Sequence, residues 1–311
     1  MNKIRLLTAL ILWCAVLTAG AQQLYVGSYN IRYHNSGDDR NGDVWAKRCQ
    51  VICDQVNFES PDIFGAQEVL AEQLQDLLRG LDRYDYIGVG RDDGRTEGEY
   101  AAIFYNRQSL RLLRHDNFWL SETPSKPSLG WDAACVRICT WGEFEQTATG
   151  LRFFYFNLHM DHVGVTARRE AAKLVVARIA ELAGDCPVVL TGDFNVDQTD
   201  EIYTIFTSSP RLDDSYEVAE RRYIENGTFN DFKPWLKTPS RIDHVFVSPD
   251  FKVLRYGVLP NVYWTENTKP AAQTKSANAP QEISFTEHVL RLASDHYPVF
   301  VRLECADKAR R

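Results

Sequence analysis

Residues 24–31 alternate in side-chain character and predict a β-strand. Over residues 45–58 the period changes. Val51, Ile52 and Val56 recur at helical spacing, and Pro61-Asp62 closes the segment. Residues 63–67 form a short buried strand, followed by a helix around 72–81. Further strands are expected over 84–89 and 100–105, separated by a loop at 90–98. A strand over 111–119 leads into a Pro/Ser/Gly-rich loop at 121–130. Strands over 134–144 and 152–158 follow, and residues 167–182 make the clearest amphipathic helix. Residues 188–190 are a fully apolar short strand opening into Thr191-Gly192-Asp193. Strands over 241–247 and 298–303 complete the set, while 267–282, rich in Ala, Thr, Lys, Gln and Pro, read as a mobile insertion.

Many strands are neighbours in sequence and few helices intervene. That order favours an α/β fold of two packed mixed sheets with helices outside over a doubly wound parallel sheet. No internal repeat and no linker divides the chain, so residues 22–311 are expected to form one catalytic domain. The composition is that of an ordinary globular protein, with 25% charged and 44% hydrophobic residues in 311 and mean hydropathy −0.34.

The first 21 residues stand apart. Lys3 and Arg5 precede an apolar run at 6–17, and Ala19-Gly20-Ala21 supplies a small-x-small cleavage site. This predicts a signal peptide, cleavage after Ala21, and a secreted or periplasmic location. The run is short for a stable membrane span, and Trp13 before Cys14 argues against lipoprotein processing. Losing Lys3 and Arg5 takes the formal charge from −7 to about −9. With no run of five Lys or Arg, the chain is poorly suited to long duplex DNA and better suited to a small or short phosphorylated substrate. Six cysteines remain. Cys49 and Cys53 are one helical turn apart and Cys135 and Cys139 share a strand, which suits buried thiols better than local disulfides. Zinc lacks a CxxC or a neighbouring His pair.

Polar residues gather at strand ends. Asn30 interrupts an apolar strand, Glu68 follows the strand at 63–67, and His159 and Asp161 follow the strand at 152–158. Asp193 and Asn195 follow Leu190, Asp243 and His244 begin a strand, and Asp295-His296 precede Pro298. Singly, each has an ordinary reading as a cap, turn or surface residue. Together they would cost several kcal/mol per buried charge unless a cation compensates. Glu68 with Asn30 is an all-oxygen set suited to Mg²⁺ or Mn²⁺ rather than Zn²⁺. A hard cation neutralises phosphoryl oxygens, Asp193 can orient or deprotonate a water, and Asn195 can donate to a phosphoryl oxygen. His296, held by Asp243 or Asp295, can place a charged donor against the phosphoryl group.

The segments SYNIR (28–32), AQEV (66–69), NLHMDH (157–162), TGDFN (191–195), RIDHVF (241–246) and SDHYPV (294–299) come in the order that resembles the endonuclease/exonuclease/phosphatase superfamily. Its members include deoxyribonuclease I-like nucleases, inositol polyphosphate 5-phosphatases, neutral sphingomyelinases and deadenylases. The resemblance implies a four-layer α/β sandwich. It implies metal ligation by Asn30 and Glu68 with Asp295 near the metal, Asp193 on the nucleophilic water, and Asn195 on the phosphate. His296 would stabilise the phosphorus centre, held by Asp243, and His159 stands where many phosphatase-like members have histidine. GRDDG (90–94), GEYAAIFY (98–105) and GTFNDF (227–232) look like an exported bacterial branch.

Arg91, Arg137 and Arg168 are candidates to reach substrate phosphate, and Trp131 and Phe229 to stack on a base or sugar ring. Two other functions stay open: a catalytically silent binding module, and a lipid-directed sphingomyelinase-like phosphodiesterase using an apolar loop at 258–264. Substrate and oligomeric state are not specified by the sequence.

Overall fold

The computed structural model describes residues 22–266, 278, 280, 282, 283 and 286–305. The expected signal peptide lies outside the described residues, as does most of the expected insertion at 267–282. In chain order come β1 (Gln22–Asn30), α1 (Ser36–Asn41), α2 (Trp45–Glu59), β2 (Ile63–Val69), α3 (Ala71–Gly80), β3 (Tyr84–Ile87) and β4 (Tyr100–Asn106). β5 (Leu110–Trp119), β6 (Ile138–Gln146), β7 (Arg152–His159), α4 (Val165–Ala183) and β8 (Val188–Asp193) follow. After them come α5 (Tyr203–Thr207), β9 (Asp213–Asp214), α6 (Ser215–Val218), β10 (Arg222–Tyr223) and β11 (Asp243–Val247). β12 (Phe251–Val258), β13 (Val262–Glu266), β14 (His288–Leu292) and β15 (Val299–Cys305) close the order.

Two large mixed sheets result. One runs β10-β12-β15-β1-β2-β4-β3 and the other β5-β6-β7-β8-β11-β9, with β13 and β14 as a separate hairpin. The β1–β2 and β7–β8 pairs are parallel, while most of the other strand pairs are antiparallel. Side-chain alternation sorts the core into layers. Val26, Ile63, Ile103, Phe153, Tyr155, Val189, Val245 and Val301 meet between the sheets. Phe154, Phe156, Leu190 and Phe246 face outward onto Ala172, Val175 and Ile179 of α4. Phe64, Ala66 and Phe104 face outward onto Ile52 and Val56 of α2 and Leu74 and Leu77 of α3. The order of layers is helix, sheet, sheet, helix, as the sequence pattern implied.

Some boundaries moved for identifiable reasons. The strand expected over 134–144 begins at Ile138, because the Ala134 and Cys135 N–H groups donate to the Asp161 carboxylate at 3.1 and 3.2 Å. Those donors are taken out of the ladder, and residues 134–137 become a loop at the sheet end. β12 was not anticipated, nor was the β13–β14 hairpin. In the 258–264 stretch, Val258 and Tyr263 are buried while Val262 and Trp264 are exposed. Among the described residues, Cys49, Cys53, Cys135, Cys139 and Cys186 carry free thiols. No helix among the described residues is long and apolar enough to cross a membrane.

Candidate active site

The alternation that packs the interior also builds the site. Along β7, Phe153, Tyr155 and Asn157 point between the sheets, so His159 does too. Along β8, Val189 and Thr191 set the same direction for Asp193, and along β11 Val245 sets it for Asp243. Register completes the alignment: His159 pairs with Asp193, and Asp193 with Asp243, across three adjacent strands. His244, one residue on, points the opposite way. It lies fully buried against Phe194, Tyr203 and Phe246, with Nε2 3.0 Å from the Val196 carbonyl, away from the cleft.

Beneath these residues the apolar interior gives way to a polar floor. Gln67 Nε2 donates to Asn157 Oδ1 at 2.6 Å and to Ser28 Oγ at 3.2 Å, and Asn157 Nδ2 donates to the Ala66 and Ala102 carbonyls. Thr191 Oγ1 donates to Asn157 Oδ1 at 3.1 Å. A Cβ added to Gly65 would lie 2.2 Å from Asn157 Oδ1, so only glycine lets the sheets approach here. The network ties β1, β2, β4, β7 and β8 together directly under the cleft.

Glu68 breaks the pattern. Alternation from Phe64 and Ala66 would send it outward to α2 and α3. The β2–β4 ladder instead shifts register between Ala66 and Val69, and Glu68 has φ 60°. This bulge turns its carboxylate into the cleft, a costly left-handed conformation held by the surrounding structure. Asn30 Nδ2 bridges Glu68 Oε1 (3.1 Å) and Asp193 Oδ2 (3.0 Å), while its Oδ1 accepts from Arg32 N–H. Asp295 reaches the same group from the loop before β15. Ser294 Oγ donates to the Asn30 carbonyl at 2.7 Å, which pins that loop to the end of β1.

His296 and Asp243 form a buried pair, with Nδ1 donating to Asp243 Oδ2 at 2.8 Å. His296 Nε2 then faces Asp193 Oδ2 at 3.7 Å, and His159 Nε2 faces the same oxygen at 3.5 Å. Burial opposes the imidazolium of His296, but the Asp243 and Asp193 carboxylates outweigh it and hold its pKa well above the ordinary histidine value. His159 is driven the other way, by burial first and then by Arg137 and Arg91. Burial pushes Asp193 up to about 7 and Asp295 up to about 6, against the pull of His296.

Burial thus penalises the ionised form of both carboxylates. Glu68, His159 and Asp193 offer ligand atoms within 4.8 Å of one another, and so do Asp193, Asp243 and His296. A divalent cation fits this donor set, which is dominated by carboxylate oxygen. The cleft above has a volume of about 760 Å³, and its walls include Glu68, His159, Asp193, Asn195, Asp295 and His296. Asn195, at φ 50°, donates from its backbone N–H to Asp193 Oδ1 and from Nδ2 to the Met160 carbonyl.

The profile of the Endonuclease/Exonuclease/phosphatase family matches residues 27–296, which contain every one of these side chains. The chain belongs to the endonuclease/exonuclease/phosphatase family. A solved family protein from Bacteroides thetaiotaomicron is 46% identical, with a TM-score of 0.86 over 93% of this chain and 100% of that one. A mannosyl-6-phosphatase from the same species is 48% identical, with a TM-score of 0.82 over 90% and 99%. Protein L388 of Acanthamoeba polyphaga mimivirus is 30% identical over 161 residues, which is 49% of this chain and 60% of that protein.

Within this family framework the remaining candidates divide. Arg91 and Arg137 line the cleft. The Arg91 fork is engaged by Glu99, NH1 to Oε2 at 2.6 Å and NH2 to Oε1 at 3.0 Å. Arg137 is buried, with Nε 3.4 Å from Asp161 Oδ2 and NH2 donating to His162 Nδ1 at 3.1 Å. Phe229 is partly exposed, edge-on to His296 at 5.0 Å between ring centroids. Arg168 and Trp131 are not among the cleft residues. Arg168 NH1 donates to the Asp161 carbonyl and steadies the 159–164 turn, and Trp131 packs against the core beside α4. Sequence patterns passed over Glu99, Arg32 and His162. Glu99 carried a signal, a carboxylate at the head of an otherwise apolar strand. Arg32 carried none beyond its place in the SYNIR segment.

Proposed function

We propose that this chain is an exported, Mg²⁺- or Mn²⁺-dependent phosphohydrolase acting on a phosphorylated sugar by in-line attack of water. The observation that carries the reading is the convergence of Glu68, Asp193, Asp295 and the His296–Asp243 pair in one cleft. The sugar rests on 48% identity to a mannosyl-6-phosphatase across nearly its whole length. Export rests on the basic, apolar and small-residue order of residues 1–21.

Glu68 and Asp295, with Asn30 beside them, would hold the metal, which supplies charge neutralisation at the phosphoryl oxygens. Asp193 takes the proton of the attacking water, and the Asn195 backbone N–H and Asn30 amide fix its orientation. His296 remains charged through Asp243 and donates to the phosphoryl group as negative charge builds. Neutral His159 lies on the other side of Asp193 as a further phosphoryl donor.

A monoester is favoured over a diester because the 48% identical relative that covers 90% of this chain is a mannosyl-6-phosphatase. Released phosphate from mannose 6-phosphate, compared with cleavage of bis-p-nitrophenyl phosphate, tests this. The expected kcat/KM ratio favours the monoester by at least about 100-fold, a little under 3 kcal/mol in transition-state stabilisation. Equal rates, or faster diester cleavage, would remove the monoester assignment. A lipid-directed activity has no comparable support, since none of residues 258–264 lines the cleft.

A further inference from the structure

Arg32 leaves the end of β1 in a left-handed conformation, φ 58°, and lines the cleft. For a residue other than glycine that backbone is costly and points to a constraint from its surroundings. The surroundings are specific. Arg32 Nε donates to Asp38 Oδ2 at 2.9 Å, and its Cζ lies 4.6 Å from the centroid of the Tyr33 ring. Asp38 is in turn held by Asn35 Nδ2 at 2.6 Å. At the other end of the guanidinium, NH1 lies 3.5 Å from Asp295 Oδ2 and 3.9 Å from Glu68 Oε2. These last contacts are longer than hydrogen bonds and act through charge.

Arg48 cannot play the same part. It is wholly buried and directs its donors to the backbone carbonyls of Ile31, Arg32, Asp43 and Ala293. Arg32 is thus the cleft-facing guanidinium that meets both Glu68 and Asp295.

We infer that Arg32 serves two ligands with opposite effect: it is the resident counter-charge of Glu68 and Asp295, which opposes cation binding, and it is a phosphoryl-binding donor once a cation takes those carboxylates. The inference rests on the phosphohydrolase reading above. A guanidinium anchored by Asp38 and Tyr33 stays beside the carboxylates when a divalent ion arrives, so the two positive charges repel. The ion carries twice the charge and prevails. NH1 is then freed from its carboxylates, and a guanidinium fork beside a cation is a strong site for a phosphoryl group.

Isothermal titration calorimetry on the full chain tests this with two probes, Mg²⁺ alone and inorganic phosphate at saturating Mg²⁺. Neither requires turnover. For Arg32→Gln the expected result is Mg²⁺ binding on the order of tenfold tighter and phosphate binding on the order of tenfold weaker. Arg32→Lys retains the charge, so its Mg²⁺ affinity should stay within about threefold of wild type. A folding defect would weaken both ligands and cannot mimic opposite shifts. Shifts of the same sign, no shift, or equal Mg²⁺ tightening in both variants would overturn the role given to Arg32. Wild type that binds neither probe would overturn the phosphohydrolase reading and this inference with it.

Discussion

At the scale of single residues the central fact is that Asp193 sits fully buried among hydrogen bonds and imidazoles. Its carboxyl is pushed up to about 7 by burial, against an ordinary value near 4. The sign of its effect on stability follows. Between about pH 4 and 7 the folded, metal-free chain holds a proton at Asp193 that the unfolded chain has released. Raising the pH through that window therefore removes stability. Asp193→Asn lacks the proton exchange and keeps the side-chain size, while its amide oxygen can accept only one of the two bonds that the carboxylate takes from Asn195 N–H and Asn30 Nδ2. In EDTA, the unfolding free energy of wild type relative to Asp193→Asn should fall as pH climbs from 4 to 7 and level off above. Urea titrations of both proteins at each pH measure it, and a difference that is flat or rises with pH would contradict the assignment. Residues of this kind were legible in sequence because a carboxylate or amide ending an apolar strand is conspicuous. Glu68 was legible by type but not by direction, since its entry into the cleft depends on a bulge and a positive φ that no side-chain pattern encodes. Arg32 and Glu99 were missed because their importance lies in which carboxylate or guanidinium they meet, a three-dimensional fact.

At the scale of elements, period-2 alternation and register do most of the placement. The strands flanking the site were readable because each pairs an apolar run with a polar terminus. β12, the β13–β14 hairpin and the shortened start of β6 were not. The first two hold weakly patterned residues stabilised by neighbours distant in sequence, and the last loses its ladder donors to Asp161. The floor formed by Gln67, Asn157, Ser28 and Thr191 is the element-level support of the site, and Gly65 is the gap through which it closes. Gly65→Ala would force its methyl against Asn157 and Thr191, with unstrained relief blocked by the packed sheets. We expect a loss of about 1–3 kcal/mol in unfolding free energy, as for overpacked interiors generally. Chemical denaturation checks this, and a change under about 0.5 kcal/mol would show that the sheets part more easily than the network implies.

At the scale of the whole molecule, the fold brings together side chains that the sequence keeps far apart. Asn30 and Asp193 are hydrogen-bonded across 163 residues, and Ser294 pins the final loop to the end of β1 across 264. Two sheets meeting face to face convert the ends of β1, β2, β7, β8 and β11 into one acidic cleft whose side chains could hold a metal ion. The general architecture could be read from strand order, while the substrate could not. The cleft walls that meet it come from loops whose conformation is set by hydrogen bonds such as those of Asp38 and Asp161, not by periodic pattern. In the proposed reaction this cleft hydrolyses a phosphate ester with a divalent ion bound and with Asp193 acting on water. Phosphate release from mannose 6-phosphate by the purified chain, with Mg²⁺, with EDTA, and in the Asp193→Asn variant, tests it most directly. Turnover is expected with Mg²⁺, its abolition with EDTA, and a fall of at least about 100-fold in Asp193→Asn. Turnover that survives EDTA, or that Asp193→Asn leaves unchanged, would contradict it.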